Sequence, residues 1–323
     1  MTKLFLSGAA GFIGSNYLRH LLTTSDCDVV AFDALTYAGN FQSIRDLLGE
    51  RVHFVHGTIT DRALVRSAME NCDQVVHLAA ESHVDRSICS ADAFVTTNCF
   101  GTNVLCDIAR QVGIERFVHV STDEVYGSIE AGSSAETDTL APRSAYAASK
   151  AGSDLIALSY YATHGLPVIV TRASNNYGPY QYPEKIIPLF ITNLLDGLGV
   201  PLYGDGHNVR DWLHVADHCI AIDTLLVNGR IGEVYNIGGG NEITNLDLTK
   251  RLVELCGADT SAINYVVDRP GHDHRYSLDS TKIHSLGWQP SRDFTLGLER
   301  TVQWYRRNRS WWASLKQSHK SRT

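Results

Sequence analysis

Six short apolar runs, all but the first rich in β-branched residues, Lys3–Ser7, Val29–Asp33, Val52–His56, Gln74–Leu78, Phe117–Ser121 and Val168–Thr171, are separated by segments long enough for helices. Strands joined through helices pair in parallel and leave a helix layer on each face of the sheet. After the first run, Phe12, Tyr17, Leu18, Leu21 and Leu22 recur on one side of such a helix. The expected fold is therefore α/β, a doubly wound parallel sheet. Beyond about residue 174 the regularity weakens: Pro179, Pro183, Pro188 and Pro201 crowd among glycines, although Glu233–Ile237 reads as one more strand. The expected division is a sheet domain over 1–174 plus about 212–243, and a smaller C-terminal lobe over about 175–211 and 244–323.

Composition excludes several classes. Hydrophobic residues at 44% and charged residues at 20% suit a packed core and argue against disorder. No apolar run approaches the ~20 residues of a membrane span, and no signal-peptide pattern precedes the first strand, so a cytoplasmic protein without membrane contact is expected. Seven cysteines with no CxxC pair fit neither a disulfide framework nor a zinc site and read as small buried thiols. Six of the 28 basic residues lie between Arg306 and Arg322, leaving 22 against 35 acidic residues, a charge of −13, on the rest. Such a body is a poor partner for nucleic acid, so a phosphate ligand must be held by a few local groups. The basic tail reads as a solvated, partly frayed end.

Gly8, Gly11 and Gly14 follow the first run and open a helix. Glycine at these positions permits a tight turn, close approach of a pyrophosphate to backbone N–H groups, and helix-on-strand packing. The helix N-terminus adds partial positive charge. Such a turn alone is weak evidence, but Asp33 closes the next run, nineteen residues after Gly14. A carboxylate there accepts both hydroxyls of an adenosine ribose and repels a 2′-phosphate, which favours NAD in a Rossmann-type site.

Tyr146 and Lys150 are four residues apart and share one helical face. A nearby ammonium stabilises a phenolate, which would make Tyr146 a base. Upstream, Ser121-Thr122-Asp123-Glu124-Val125-Tyr126-Gly127 ends a strand, where ligands of open α/β sheets collect. Adjacent carboxylates push one pKa upward and so suit separate acid and base tasks. Simple alcohol oxidation needs no such pair.

These motifs, with Leu78-Ala-Ala-Glu-Ser-His-Val-Asp-Arg86, Ser174-Asn-Asn-Tyr-Gly-Pro-Tyr180, Pro183-Glu-Lys185, Arg210-Asp-Trp-Leu213 and Asp268-Arg-Pro-Gly-His-Asp-His-Arg-Tyr276, make the chain resemble the nucleotide-sugar 4,6-dehydratases of the extended short-chain dehydrogenase/reductase superfamily along nearly its whole length. The resemblance implies an NAD-dependent carbon–oxygen lyase. Tyr146, with Lys150 and Thr122, takes the C4 hydroxyl proton, Glu124 removes the C5 hydrogen, and Asp123 protonates the departing C6 hydroxyl. It places NAD along Gly8, Gly11, Phe12, Ile13, Gly14, Asp33, Thr36, Thr58, Ile59, Leu78, Ala80, Thr97, Tyr146, Lys150 and Asn176. The nucleotide sugar falls to Ser82, Thr122, Asn175, Lys185, Ile186, Pro201, Tyr203, Arg210, Asn245, Asp268, His272 and Tyr276. His83, His272 and His274 lack metal spacing, and no metal is expected.

The implied substrate is dTDP-glucose. A UDP sugar is the close alternative, because one methyl group is worth only about 1 to 3 kcal/mol in an apolar pocket. A C4 epimerase would share the tyrosine but leave Asp123 and Glu124 without a task; a non-catalytic NAD-binding module would have no use for the intact set. The resemblance also implies a homodimer through helices Asp92–Val112 and Arg143–His164, paired as a four-helix bundle. Two positions depart from the family pattern. Thr58 stands where an aspartate usually meets the adenine amino group, which implies weaker NAD retention, and Tyr182 stands where phenylalanine is common.

Overall fold

In a computed structural model, which describes residues 2–269 and 271–320, the chain builds three sheets. Seven parallel strands form the largest: β1 (Lys3–Ser7), β2 (Asp28–Asp33), β3 (Val52–His56), β4 (Gln74–His77), β5 (Arg116–Thr122), β6 (Val168–Ala173) and β10 (Val234–Ile237). Their spatial order is β10-β6-β5-β4-β1-β2-β3. The order reverses between β1 and β4, so the crevice at their C-terminal ends is the expected ligand position. The late strand 234–237 pairs in parallel with β6, from Val234 opposite Val170 to Ile237 opposite Ala173.

Both faces of this sheet are covered. On one, Tyr17, Leu18 and Leu21 of helix Phe12–Thr24 join Ile222 and Leu225 of helix Val215–Asn228 in a core beneath Leu4, Leu6 and Val118. Burying each such side chain contributes about 1.5–3 kcal/mol. On the other, Val65 and Met69 of helix Arg62–Met69, Leu105 and Ile108 of helix Thr102–Val112, and Ala157 of helix Ala145–His164 pack on Phe5, Phe32 and Phe117.

β7 (Asn175–Tyr177), β9 (Val209–His214) and β11 (Glu242–Thr244) form a mixed sheet, and β8 (Val200–Tyr203) pairs with β12 (Ile263–Val266). A third core gathers Ile187, Phe190 and Ile191 with Leu248, Leu252, Leu298, Tyr305 and Trp312 from four helices. Among the described residues, no helix is long and apolar enough to cross a membrane.

Three expectations are corrected. Segment 92–112 is not one regular α-helix: Asp92–Phe94 and Thr102–Val112 flank a π-helical stretch, Val95–Gly101. The basic tail is not a solvated end, because residues Arg309–Lys320 are helical and both Arg309 and Lys316 pair with Asp196 at 2.6 and 2.8 Å. Buried Trp312 anchors that helix, and its flanking cations find an acidic partner; Arg322 lies outside the described residues. All seven cysteines are free, but only Cys72, Cys106 and Cys219 are buried, and Cys89 is exposed.

Candidate active site

Two of the three glycines are required by close approach. Gly8 has φ +75°, and a Cβ there would lie 2.6 Å from the Ala79 amide nitrogen; a Cβ on Gly14 would lie 2.0 Å from the Gly8 carbonyl oxygen. Gly11 is the helix N-cap and makes no side-chain cap bond, so it presents the first turn's free N–H groups. Asp33 is held on both oxygens, Oδ2 accepting from Ala10 N at 2.9 Å and Oδ1 from Leu35 N at 2.8 Å. Burial raises its pKa, and those two amides oppose the shift. A Cβ on Gly39 would come within 2.6 Å of Asp33 Oδ1, so this glycine, which sequence reasoning missed, keeps the carboxylate clear. An open glycine cradle at a helix N-terminus beside a buried, pre-oriented carboxylate fits NAD.

Thr58 Oγ1 lies 2.9 Å from Thr60 Oγ1 and accepts from Thr60 N at 3.3 Å. Its hydroxyl is thus partly spent within its own turn. Thr58→Asp is expected to tighten NAD binding roughly 3- to 10-fold, the yield of about one added hydrogen bond. Calorimetric titration of the cofactor-free protein checks this, and equal affinities would refute it.

Thr122 ends β5, and its hydroxyl caps the turn Asp123–Tyr126, accepting from Glu124 N at 3.2 Å and bonding Asp123 Oδ1 at 3.1 Å. Ser144 caps the next helix through Ala147 N, fixing Tyr146 and Lys150 on its buried face. Asp123 is 3% exposed, and burial followed by repulsion from Glu124 drives its pKa well above the ordinary carboxylate range. Glu124 is also raised by burial, but Lys185, Arg269 and Arg210 oppose the rise. The two carboxylates are therefore unequal, with Asp123 the natural proton carrier and Glu124 the one held toward its anion.

Tyr146 departs from expectation. Burial, then Glu124 and Asp123, raises its pKa well above 10, while the Thr122 hydroxyl opposes the shift. Lys150 donates to the Val120 carbonyl at 2.8 Å, and burial lowers its pKa to about 8. The chain's own groups therefore keep the phenol protonated, and activating it requires further positive charge close to the ring.

The raised Asp123 pKa has a stability consequence. Between the unfolded and the folded pKa the native state holds the extra proton, so stability falls as pH rises through that window. Asp123→Asn removes this cost and is expected to raise Tm by on the order of 2 °C at neutral pH. A scanning-calorimetry comparison that shows no rise would contradict it.

Every expected site residue except Asp268 lines one cavity of about 630 Å³ at the C-terminal edge of the large sheet. Asp268 instead accepts from Arg269 N at 2.8 Å and meets His272 Nδ1 at 2.7 Å, so it braces the loop behind the cavity wall. The buried Arg210 is oriented by its bonds to the Val209 and Asp273 carbonyls at 2.7 and 2.9 Å, with its guanidinium 4.4 Å from the Tyr276 ring centre. The Tyr276 hydroxyl bonds Asp273. Lys185 Nζ donates to the Ser82 carbonyl at 2.7 Å, bridging the two sides of the cavity. Asn176 is set by the Ser174 carbonyl at 2.9 Å and His218 Nδ1 at 3.0 Å.

Sequence reasoning passed over several neighbours. Asn98, in the π-helical stretch beside Thr97, bonds both backbone groups of Glu81 and donates to Ser149 Oγ at 2.9 Å, tying the loop after β4 to the catalytic helix. Such π-turns occur frequently at functional sites. Arg269 and Glu184 also line the cavity, and burial raises Glu184 to about 7. Both lie inside quoted motifs, which was the only signal for them. The ring of Tyr182 lines the cavity while its hydroxyl donates to the Leu315 carbonyl at 3.4 Å, so the departure from phenylalanine serves the C-terminal helix. His83 Nδ1 accepts from Arg86 N, and among the described residues no cluster of His, Cys, Asp or Glu could hold a metal.

The family described as GDP-mannose 4,6 dehydratase matches residues 5–301. A dTDP-glucose 4,6-dehydratase from Streptomyces antibioticus is 57% identical over 321 residues, 97% of this chain and 95% of that protein. A crystal structure of a dTDP-glucose 4,6-dehydratase from Streptomyces venezuelae, with NAD and dTDP bound, matches with a TM-score of 0.96 at 53% identity, over 97% of this chain and 100% of that one. A UDP-glucose 4-epimerase from Thermus thermophilus in complex with NAD matches with a TM-score of 0.88 at 30% identity, over 94% and 99% of the two chains.

Proposed function

The chain belongs to the family of nucleotide-sugar 4,6-dehydratases, and from that premise we propose that it converts dTDP-glucose to dTDP-4-keto-6-deoxyglucose and water, as a carbon–oxygen lyase with no net redox change. The glycine turn, Asp33 and Lys150 would hold NAD, which would supply the hydride acceptor for oxidation at C4 and the hydride donor for C6. A hydroxyl on C6 is β to a ketone at C4, so oxidation must come first. Tyr146 takes the O4 proton while Thr122 holds O4. Glu124 then removes the acidified C5 hydrogen, Asp123 protonates the C6 hydroxyl as it leaves, and Glu124 returns the proton to C5. Arg210, Lys185 and Asn245 hold the diphosphate, and Arg269, His272 and Tyr276 close the nucleotide end.

The observation that carries this reading is the inequality of Asp123 and Glu124 beside Tyr146, which supplies an acid and a base in one site. Epimerisation has no use for it. The test is to incubate the purified protein, without added reductant, with dTDP-glucose and separately with UDP-glucose, following mass and the appearance of a 4-keto sugar. Loss of one water from dTDP-glucose alone supports the reading. Loss from UDP-glucose alone would reassign the nucleotide, and an unchanged mass with galactose formed would replace dehydration by epimerisation.

We assign the sheet residues 1–174 and about 212–243 to the cofactor and the remainder to the nucleotide sugar. The enzyme is proposed to act as a homodimer: Val95, Phe100, Leu155 and Tyr161 are 41–60% exposed on the helices 92–112 and 145–164, an apolar set that a four-helix bundle would cover. Sedimentation as a monomer would remove this assignment.

A further inference from the structure

Beneath the catalytic helix lies a charged group for which the reaction has no direct use. Asp154, one turn beyond Lys150, is fully buried and pairs with Arg172 Nε of β6 at 3.0 Å. Arg172 Nη1 donates to the Tyr126 hydroxyl at 2.8 Å, and that hydroxyl donates to Asn236 Oδ1 of β10 at 2.8 Å. His119 Nε2 of β5 stands 3.3 Å from Asp154 Oδ1 and 3.0 Å from Ser153 Oγ, which itself donates to the Lys150 carbonyl at 2.8 Å. One buried polar chain thus joins the turn that carries Asp123 and Glu124 to the helix that carries Tyr146 and Lys150.

A buried ion pair is seldom a net source of stability, since apolar residues of similar shape serve as well or better. Its retention under a lysine in an active site asks for another reason. We propose that Asp154, locked by Arg172, is a positioning residue for the reaction, supporting the Lys150 ammonium electrostatically in its place against the Val120 carbonyl. The inference rests on the role given to Lys150 beside Tyr146.

The other groups around Lys150 cannot take that part. Tyr146 on the same helix is the reacting group that Lys150 serves, and burial keeps the Cys99 thiol from the π-helical stretch protonated. Burial also keeps the imidazoles of His77 on β4 and His119 on β5 neutral. Arg172 is a cation, and Asp123 carries its proton. Asp154 is the anion of this set: its pKa is lowered by His119, Arg172 and Lys150 against the effect of burial. It in turn opposes the burial that lowers Lys150 to about 8.

The test compares the NAD-loaded wild type with Asp154→Asn and with the double variant Asp154→Asn/Arg172→Gln, which removes the Arg172 charge together with its partner. In both variants the alkaline limb of the kcat profile is expected to move down by about one pH unit. At neutral pH, kcat should fall on the order of 10-fold while KM changes less than about 2-fold. A folded double variant with the wild-type alkaline limb would overturn the proposal. Loss of the fold in both variants would also overturn it, since the pair would then serve packing alone. A wild-type enzyme that leaves dTDP-glucose and UDP-glucose unchanged would instead refute the proposed reaction.

Discussion

Glu124→Gln is expected to lower kcat on the order of 10²- to 10⁴-fold, the contribution of a positioned general base, with little change in KM. Glutamine keeps the shape and the hydrogen-bonding reach but cannot accept the C5 proton. In deuterated water the wild type should place solvent deuterium at C5 of the product, and this variant should place almost none in either product or recovered substrate. Asp123→Asn provides the contrast. It leaves the base intact, so C5 exchange continues in recovered material while water loss slows on the order of 10²-fold. If both variants exchanged equally, the acid and base assignments would be wrong. The pH profile follows from the same site: activity should rise as Glu124 loses its proton and fall at higher pH as Lys150 loses its own. The acidic limb lies above the ordinary carboxylate range because burial raises Glu124, and burial brings Lys150 down to about 8. The cations Lys185, Arg269 and Arg210 keep the Glu124 limb the lower of the two.

Tyr146→Phe is expected to cost kcat on the order of 10³-fold and to abolish C5 exchange as well, because no step precedes removal of the O4 proton. The phenol lies on the buried face of a helix whose N-cap bond does not involve its hydroxyl, and its neighbour Thr122 keeps its bonds to Glu124 N and Asp123 Oδ1, so folding and cofactor content should be unchanged. Matching melting curves and bound-NAD content, together with the loss of both turnover and exchange, would establish the effect as chemical. Persistence of C5 exchange in this variant would mean that another group takes the O4 proton. The result bears on how the phenol is activated, since the protein alone holds its pKa up and Lys150 is turned to the Val120 carbonyl.

The sequence by itself determined the features that depend on neighbours along the chain. Strand positions followed from short apolar runs, and five of the six early runs match their strands to within one residue at each end; only Val168–Thr171 stops short, because β6 continues to Ala173. The glycine turn was readable because Gly8 needs positive φ, a backbone property of one residue. Tyr146 and Lys150 were readable because a helix brings residues four apart together. The tertiary structure alone decided which distant groups meet. That Asn98 binds the Glu81 backbone, that Gly39 clears Asp33, and that Asp268 turns behind the cavity all arise from contacts between segments that no local periodicity encodes. The same holds for the electrostatics of the site. Two adjacent carboxylates announce a possible acid and base, but which is which depends on burial and on cations brought in from residues 185, 210 and 269. The continuous helix expected over 92–112 failed for the same reason. Its π-helical stretch carries Asn98, whose amide bridges the Glu81 backbone and Ser149, an arrangement set by packing between the loop after β4 and the catalytic helix.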